Sequence, residues 1–481
     1  AINGLTTRLQ DLSNRDWQLA LNHLRELRLV AEKDKNDPET LDCHPLIREH
    51  FGDKLQQQNP AAWKEAHARL YDYYKTLPEK GLPDTLEEME PLFAAVMHGC
   101  LAGKQNDTLH DVYYSRIQRD GQTNYCFNKL GAIGADLSCV SHFFETPWNK
   151  PVANLTEDVK PFVLSWAGFR LRSVGRLSEA TQPMKASLEL AILDEHWGPA
   201  AKRASNLSEL YLTLGDVVSA QKYGAQSVTF ADRSGDDFWK GAFRTTHADA
   251  LHQAGKNKVA EKLFMEAESK HKKSQPEHPY LYSQQSFLFC DLLLTMGRYQ
   301  EVLERANYAI KIKTNIPLVD FGLSSLSIGK ALIFLEVESS SFDLQKAEAY
   351  LSQAVDGLRE AGTQHYLPMG LLARATLSRH QKDFPKSWAD LDEAHEIAEY
   401  GQMRLFLTDY HLEACRTIKA QLAFAAGSAS KFEIIENGET FHLTKEEMQA
   451  KFHTHFQAAE QLIKETGYHR RDGELEELKD G

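Results

Sequence analysis

Small and large apolar residues recur along the middle of the chain at a nearly constant interval. A turn glycine followed five residues later by a short side chain opens "GRLSEA" at Gly175, "GDVVSA" at Gly215, "GKNKVA" at Gly255 and "GRYQEV" at Gly297, with steps of 40, 40 and 42 residues. A degenerate copy, "KDFPKS", follows from Lys382. Seven residues before each glycine stands a small side chain (Gly168, Ser208, Ala248, Cys290), and four before it a larger one (Leu171, Tyr211, Leu251, Leu293). Five after come Ala180, Ala220, Ala260 and Val302, and twelve after come Ser187, Ser227, Ala267 and Ala309. A fixed period of this length marks stacked supersecondary units. The small positions let the two helices of a pair approach, the larger ones fill the groove between them, and the glycine ends the first helix.

The flanks follow other patterns. "SNRDWQLALNHLRELRLV" predicts a helix capped by Ser13 or Asn14, with Leu19, Leu24 and Leu27 on a side shared with Trp17 and Leu21. "RLVAEKD" and "ETLDC" are short strand candidates around the polar turn "KNDP", and "HPLIREHFGDKLQQQ" predicts a further helix. Helix, helix, hairpin, helix is a winged-helix arrangement. Residues 59–158 carry apolar positions at helical spacing without a clean repeat, and are expected to be a helical connector. Near the C-terminus "KFEIIENGETFHL" predicts a hairpin or ordered loop around Asn437-Gly438. Thr444, with Glu447 three residues on, predicts a capped helix. "GELEELKDG" is expected to fray.

The spacing of the middle region resembles the tetratricopeptide repeat, which has small residues at its eighth, twentieth and twenty-seventh positions and a large one at its eleventh. The match covers about Lys160 to Ala425, seven helix pairs. The period exceeds the usual 34 residues, so longer helices are expected, and "EVESSSFD" stretches one unit between Gly329 and Ala347. The fold expectation is therefore mainly α: a tetratricopeptide-type α-α superhelix preceded by a small winged-helix domain with a short β-hairpin. The expected boundaries are 1–58 for the winged helix, 59–158 for the connector, 159–425 for the repeat array and 426–481 for a hairpin or loop and capping helix.

A second resemblance concerns "LDCHPLIREHF", Leu41 to Phe51. It is similar to the histidine motif that ends the winged-helix domain of STAND signalling ATPases. Members of that family run from a nucleotide-binding domain through a winged helix to a helical or repeat sensor. Cys43 stands where the family often has Met, and Pro45 where it often has Asp, although bacterial members commonly read "HPL(I/V)RE". "EEMEPLFAAVMHGCLAGK", "LSRHQKDFPKSWADLDEAHEIAEYGQMRLFLTDYHLEACR" and "ETGYHRRDGELEEL" also resemble segments of bacterial STAND proteins with tetratricopeptide tails. The resemblance implies that His44 contacts the β-phosphate of ADP held by an upstream domain, and that the full-length protein uses ADP/ATP with Mg. Its physical basis is simple. Pro45 suits the first helical position, so His44 lies at a helix N-terminus, where free N–H groups favour an anion and a neutral imidazole donates one hydrogen bond. The plain alternative is a histidine that caps Ile47 or packs against the hairpin.

Composition narrows the picture. At 481 residues and 54.5 kDa the chain is expected to hold two to four domains or one elongated array. It begins at Ala1 rather than Met and is expected to be a processed chain or a fragment, like the regulatory half of a STAND protein. No apolar run is expected to span a bilayer, no secretory signal is visible, and no membrane partner is expected. A net charge of −13 argues against nucleic acid as the default partner. Six scattered cysteines without C-x-x-C pairs fit free thiols in a reducing cytoplasm.

Recognisable catalytic chemistry is missing from the pattern. No G-x-x-x-x-G-K-[ST] occurs: Gly103-Lys104, Gly255-Lys256 and Gly329-Lys330 lack its other parts. "FLFCD", Phe287 to Asp291, mimics a Walker B strand but falls inside a repeat helix. His453 and His455 are two apart and face different sides of a helix; no metal site and no catalytic residue is assigned. "YHRRDGELEEL" is expected to be solvated or paired within the chain.

The function expected is the sensor and regulatory region of a STAND-type signalling ATPase. It recognises a protein or peptide trigger on the inner face of the array and controls self-association, in bacterial defence. The inner-face candidates by repeat position are Lys202, Ser205, Glu209, Thr245, Asp249, His252, Gln284 and Asp291. The carboxylate clamp of chaperone-binding members is not evident, because Ser165, Ser205, Thr245 and Phe287 stand where its first Lys falls. The alternatives are a plain repeat scaffold and the sensor of a maltose-activator-type transcription regulator.

Overall fold

A computed structural model of the chain describes residues 1–33, 41–121, 124–312, 316–339, 344–424 and 431–480. The chain divides into two compact units, Ala1–Tyr125 with Ala153–Leu155, and Cys126–Val152 with Thr156–Gly481.

The first unit holds α1 (Asn14–Glu26), α2 (Pro45–Gln58), α3 (Pro60–Thr76), α4 (Leu86–Leu101) and the short α5 (Gln105–Thr108), which runs into a π-helical stretch, Leu109–Ile117. Ser13 caps α1 by accepting from the Asp16 N–H, and α1 buries only Leu21; Leu19 and Leu27 stay more than half exposed. The expected hairpin forms no strand among the described residues. Between its two arms the described residues carry one backbone bond, Ala31 N–H to Asp42 O at 2.7 Å, and residues 34–40 lie outside the described set. The core of this unit is instead α3, α4 and the π-helical stretch, around Tyr71, Met89, Leu92, Val96, Val112 and Tyr113. The short α6 (Tyr125–Asn128) marks the boundary between units.

The second unit continues with α7 (Ile133–Ser141) and a two-stranded ribbon, β1 (Phe144–Thr146) against β2 (Lys150–Pro151). Then come the helix pairs: α8 (Lys160–Ser173) with α9 (Leu177–Leu193), α10 (Trp197–Leu214) with α11 (Val217–Ser234), α12 (Asp237–Gln253) with α13 (Asn257–Ser274), and α14 (Ser283–Thr295) with α15 (Tyr299–Lys311). They are followed by α16 (Leu318–Ser339) with α17 (Gln345–Glu360), α18 (Leu367–His380) with α19 (Phe384–Tyr400), and α20 (Arg404–Phe424). A hairpin, β3 (Phe432–Glu436) and β4 (Glu439–Leu443), intervenes before α21 (Lys445–Thr466) packs on α20 and completes a seventh pair; α22 (Asp472–Asp480) ends the described chain. This is a mainly α, tetratricopeptide-type stack.

The repeat positions do what their sizes require. Gly175, Gly215, Gly255 and Gly297 take φ between +71° and +83°, the left-handed turn that ends each first helix. Lys382 adopts the same turn, at φ +63°, in the degenerate copy. A Cβ on Gly168 would stand 2.2 Å from Met184 Cγ, so this helix crossing demands glycine. Ser208 Oγ donates to the Ala220 carbonyl at 2.8 Å, and Ser387 Oγ to that of Ala375 at 3.0 Å, tying first to second helix across the turn.

Two expectations change. α16 contains one stretch, Leu318–Glu336, long and apolar enough by composition to cross a bilayer, where none was expected; in the fold it packs against α15 and α17. The acidic end does not fray: α22 buries Leu475 and Leu478 beside Leu412 and Cys415 of α20. The second half of the insertion "EVESSSFD", residues 340–343, lies outside the described residues, and its first half continues α16. The Asn437-Gly438 hairpin and the Thr444–Glu447 capping box both form.

Candidate inner-groove site

First helices neighbour one another through the stack, and the stack curls until α10 meets α20, with Leu212 packed beside Leu405 and Tyr468. Between them lies an open-mouthed cavity of about 630 Å³, to which every first helix from α8 to α20 contributes. Its apolar lining includes Phe287, Leu288, Ile333, Phe334, Leu372 and Leu412.

Three polar clusters are set into that lining. In the first, the Arg172 guanidinium donates to Glu209 Oε2 at 2.6 Å, and the Gln284 amide donates to the same oxygen at 3.1 Å and to the Tyr366 hydroxyl at 2.6 Å. Burial pushes the Tyr366 hydroxyl up from its ordinary value.

The second cluster surrounds Asp291. Arg470 donates to it from both terminal nitrogens, and Lys330 Nζ lies 3.1 Å away. Burial opposes its charge, but Arg470 and Lys330 outweigh that and hold the carboxyl well below the usual range. Nearby, Asp249 accepts from the Gln253 amide at 2.6 Å, and Gln253 accepts from Arg470 at 3.1 Å. Burial pushes the Asp249 carboxyl up to about 7, with the Asp291 charge adding to the effect.

The third cluster is a ladder of alternating charge. Arg379 Nε donates to Glu413 at 2.6 Å, Arg416 bridges Glu413 and Glu474, and Arg471 bridges Glu474 and Asp409, the last at 2.8 Å. Opposite charges and hydrogen bonds offset the cost of burying these ions.

Of the residues picked by repeat position, Glu209, Asp249, Gln284 and Asp291 line the cavity. Lys202 is exposed outside it. Ser205 is buried between first helices, bonded to Thr246 at 2.8 Å, and Thr245 turns back on the Ala242 carbonyl at 2.6 Å. His252 is buried beneath the floor, on Thr295 at 2.9 Å. Lys202, Ser205 and Thr245 share the stripe of Glu209 and Asp249 but lie one or two turns nearer the helix N-termini, whereas the cavity is lined by the C-terminal turns of α10 and α12. Asp291, the acid of the Walker-B-like "FLFCD", is helical, and so its neighbours Phe287 and Leu288 share its groove. Arg172, Lys330, Tyr366, Arg470 and Arg471 were missed. Only "YHRRDGELEEL" carried a signal, its paired arginines beside an acidic run, and that run is indeed paired within the chain.

His44 lies in the first unit. It caps α2, its Nδ1 accepting from the Leu46 N–H at 3.3 Å, and its ring is exposed. The capped amide is Leu46 rather than Ile47. His453 is exposed, whereas His455 is buried with its Nδ1 2.8 Å from that of His411. No group of three metal-ligating side chains occurs among the described residues.

Fold and cavity together define a tetratricopeptide-type helical-repeat protein. No protein-family model matches the chain, and no curated protein does. Among solved structures the chain is similar to "Crystal Structure of Rap Protein Complexed with Competence and Sporulation Factor", at 13% identity over 90% of this chain and 96% of that one, with a TM-score of 0.33. The class assignment rests on the helix pairs and not on that likeness.

Proposed function

We propose that the chain is a sensor and regulatory module that takes a protein or peptide segment into the groove of its repeat array. The observation that carries this reading is the cavity of about 630 Å³, apolar along its floor and set with ion pairs from successive first helices. Apolar pockets with a few fixed polar groups are the usual form of a binding site, and concave solenoid faces are where repeat proteins hold partners. A selection from a random peptide library, repeated on variants, tests it. Phe334→Glu, inside the groove and 39% exposed, abolishes binding of the selected peptides, whereas Leu193→Glu, 77% exposed on a second helix, leaves it intact. Ligands indifferent to Phe334→Glu refute the reading.

The finer reading is that this module belongs to a STAND-type ATPase, cytoplasmic and acting in bacterial defence, whose self-association it restrains. Its support is the "LDCHPLIREHF" resemblance together with the local geometry of α2. With Nδ1 as the cap acceptor, a neutral His44 keeps its proton on Nε2, free to donate to an anion, and the first turn of α2 carries no acidic side chain. The residues present therefore fit a phosphate of ADP or ATP, with Mg carried by an upstream domain. α2 also buries none of its residues, and leaves Leu46 and Phe51 67% and 55% exposed on different sides of the helix. The module itself is proposed to be regulatory rather than catalytic. The cap bond equally favours a second reading, a repeat scaffold whose His44 does nothing more. The mass of the native protein in its source cells separates them. A species well above 54.5 kDa that loses ADP faster when it carries His44→Ala supports the first reading. A species of the same mass removes the nucleotide and leaves the peptide groove standing.

A further inference from the structure

The inner groove already holds an arginine of its own chain. Beyond α21 the backbone turns at Gly467, φ +75°, and lays Tyr468–Arg471 against the first helices. The approach is close: a Cβ on Gly255, in the turn after α12, would stand 3.2 Å from the His469 backbone. Arg470 then reaches Asp291 with both terminal nitrogens and Gln253 with one, while Lys330 Nζ shares Oδ1 of the carboxylate with one of those nitrogens. Arg470 and Asp291 are each only 7% exposed at the side chain. A carboxylate with a fixed amide oxygen beside it matches the planar fork of a guanidinium better than a point-charge ammonium.

We propose that this seat is the recognition site for an arginine of the peptide or protein segment that the groove binds, and that Tyr468–Arg471 is an intrachain occupant which the partner displaces. The inference rests on the peptide-groove reading above and names its ligand class. Simple opening of the seat leaves Asp291 buried with Lys330 as its remaining close cation, and a buried charge that loses a partner is strongly disfavoured. Exchange of one guanidinium for another avoids that state. A partner lacking arginine has no replacement for the two bonds on Asp291. The tethered arginine presents itself at an effective concentration on the order of millimolar, so weaker basic peptides do not displace it.

The test uses the full chain carrying Arg470→Ala, which empties the seat, and the acetylated peptide Tyr-His-Arg-Arg-Asp, a copy of residues 468–472. The expected result is binding by calorimetry, with affinity lowered at least about tenfold, about 1.4 kcal/mol, when glutamine replaces the first arginine of the peptide. Adding Asp291→Asn to the variant removes the difference, and the unaltered chain binds neither peptide below about 1 mM. Equal binding of the two peptides to the Arg470→Ala chain, or no binding of the arginine peptide, overturns the proposal. Should Arg470→Ala fail to fold by circular dichroism, Arg470→Gln, which removes the tethered cation and keeps a polar side chain beside Asp291, takes its place with the same expectations. A library selection on the same variant keeps the two readings apart. Groove ligands without arginine overturn the guanidinium seat and leave the peptide groove intact; the absence of any groove ligand removes both.

Discussion

Replacing Asp249 with asparagine removes a titration that the fold makes expensive. Asp249 sits on α12 at the cavity wall, 7% exposed, with Gln253 donating to its Oδ1 at 2.6 Å. Burial raises its carboxyl from 3.8 to about 7, which at 1.36 kcal/mol per pKa unit corresponds to about 4 kcal/mol. The sign follows from proton counting. Between pH 4 and 7 the folded chain holds a proton that the unfolded chain has released, so stability falls as pH rises through this window. Below about pH 4 both states are protonated and the penalty is absent; above 7 it is complete. Asparagine keeps the acceptor for Gln253 and has no proton to lose. The thermal midpoint of Asp249→Asn relative to the unaltered chain therefore climbs from pH 4 to pH 8. For the second unit, about 350 residues, at about 2.1 cal/mol/K of unfolding entropy per residue, the climb is about 5 °C. The assay is a pair of melts at each pH, read as a difference so that every other titrating group cancels. A difference that does not change with pH, or a variant less stable at pH 8, refutes the burial argument.

Two further outcomes follow from the packing. His411 is lowered to about 3, first by burial and then by the neighbouring His455, so its folded value lies below its unfolded one; that contribution to stability is present above about 6.5 and lost as pH falls toward 3. His411→Gln flattens this acid arm of the melting curve, and an unchanged arm refutes the pairing. Trp388, fully buried, donates from Nε1 to Gln421 Oε1 at 2.9 Å. Trp388→Phe removes that bond and leaves a cavity, at a cost of about 2–3 kcal/mol in a denaturant titration, and a cost below about 1 kcal/mol refutes the bond's role.

The repeat array was legible because its signals are local. A turn glycine, the small residues seven before and five after it, and the helical period between them act within one helix pair. They therefore survive as a pattern whatever the rest of the chain does. The capping box at Thr444 and the Asn437-Gly438 hairpin belong to the same class: their geometry is decided within a few residues. The N-terminal hairpin was less legible, since short strands take their identity from a partner edge, and Ala31 and Asp42 exchange one bond without building a ladder among the described residues. Half of the picked inner-face residues line the cavity, because repeat register tells which helix is first but not how far the stack curls.

What the sequence determined by itself is the class of the fold, the helix pairs and their turns, and the acids Glu209, Asp249 and Asp291 on first helices. What only the tertiary structure decided is their meeting. The Arg470 contacts with Gln253 and Asp291 span 217 and 179 residues. The closure of α10 on α20 likewise depends on the summed small rotations of every pair between them. No local pattern encodes that sum, so the seat on Asp291 and its resident arginine exist only in the folded array.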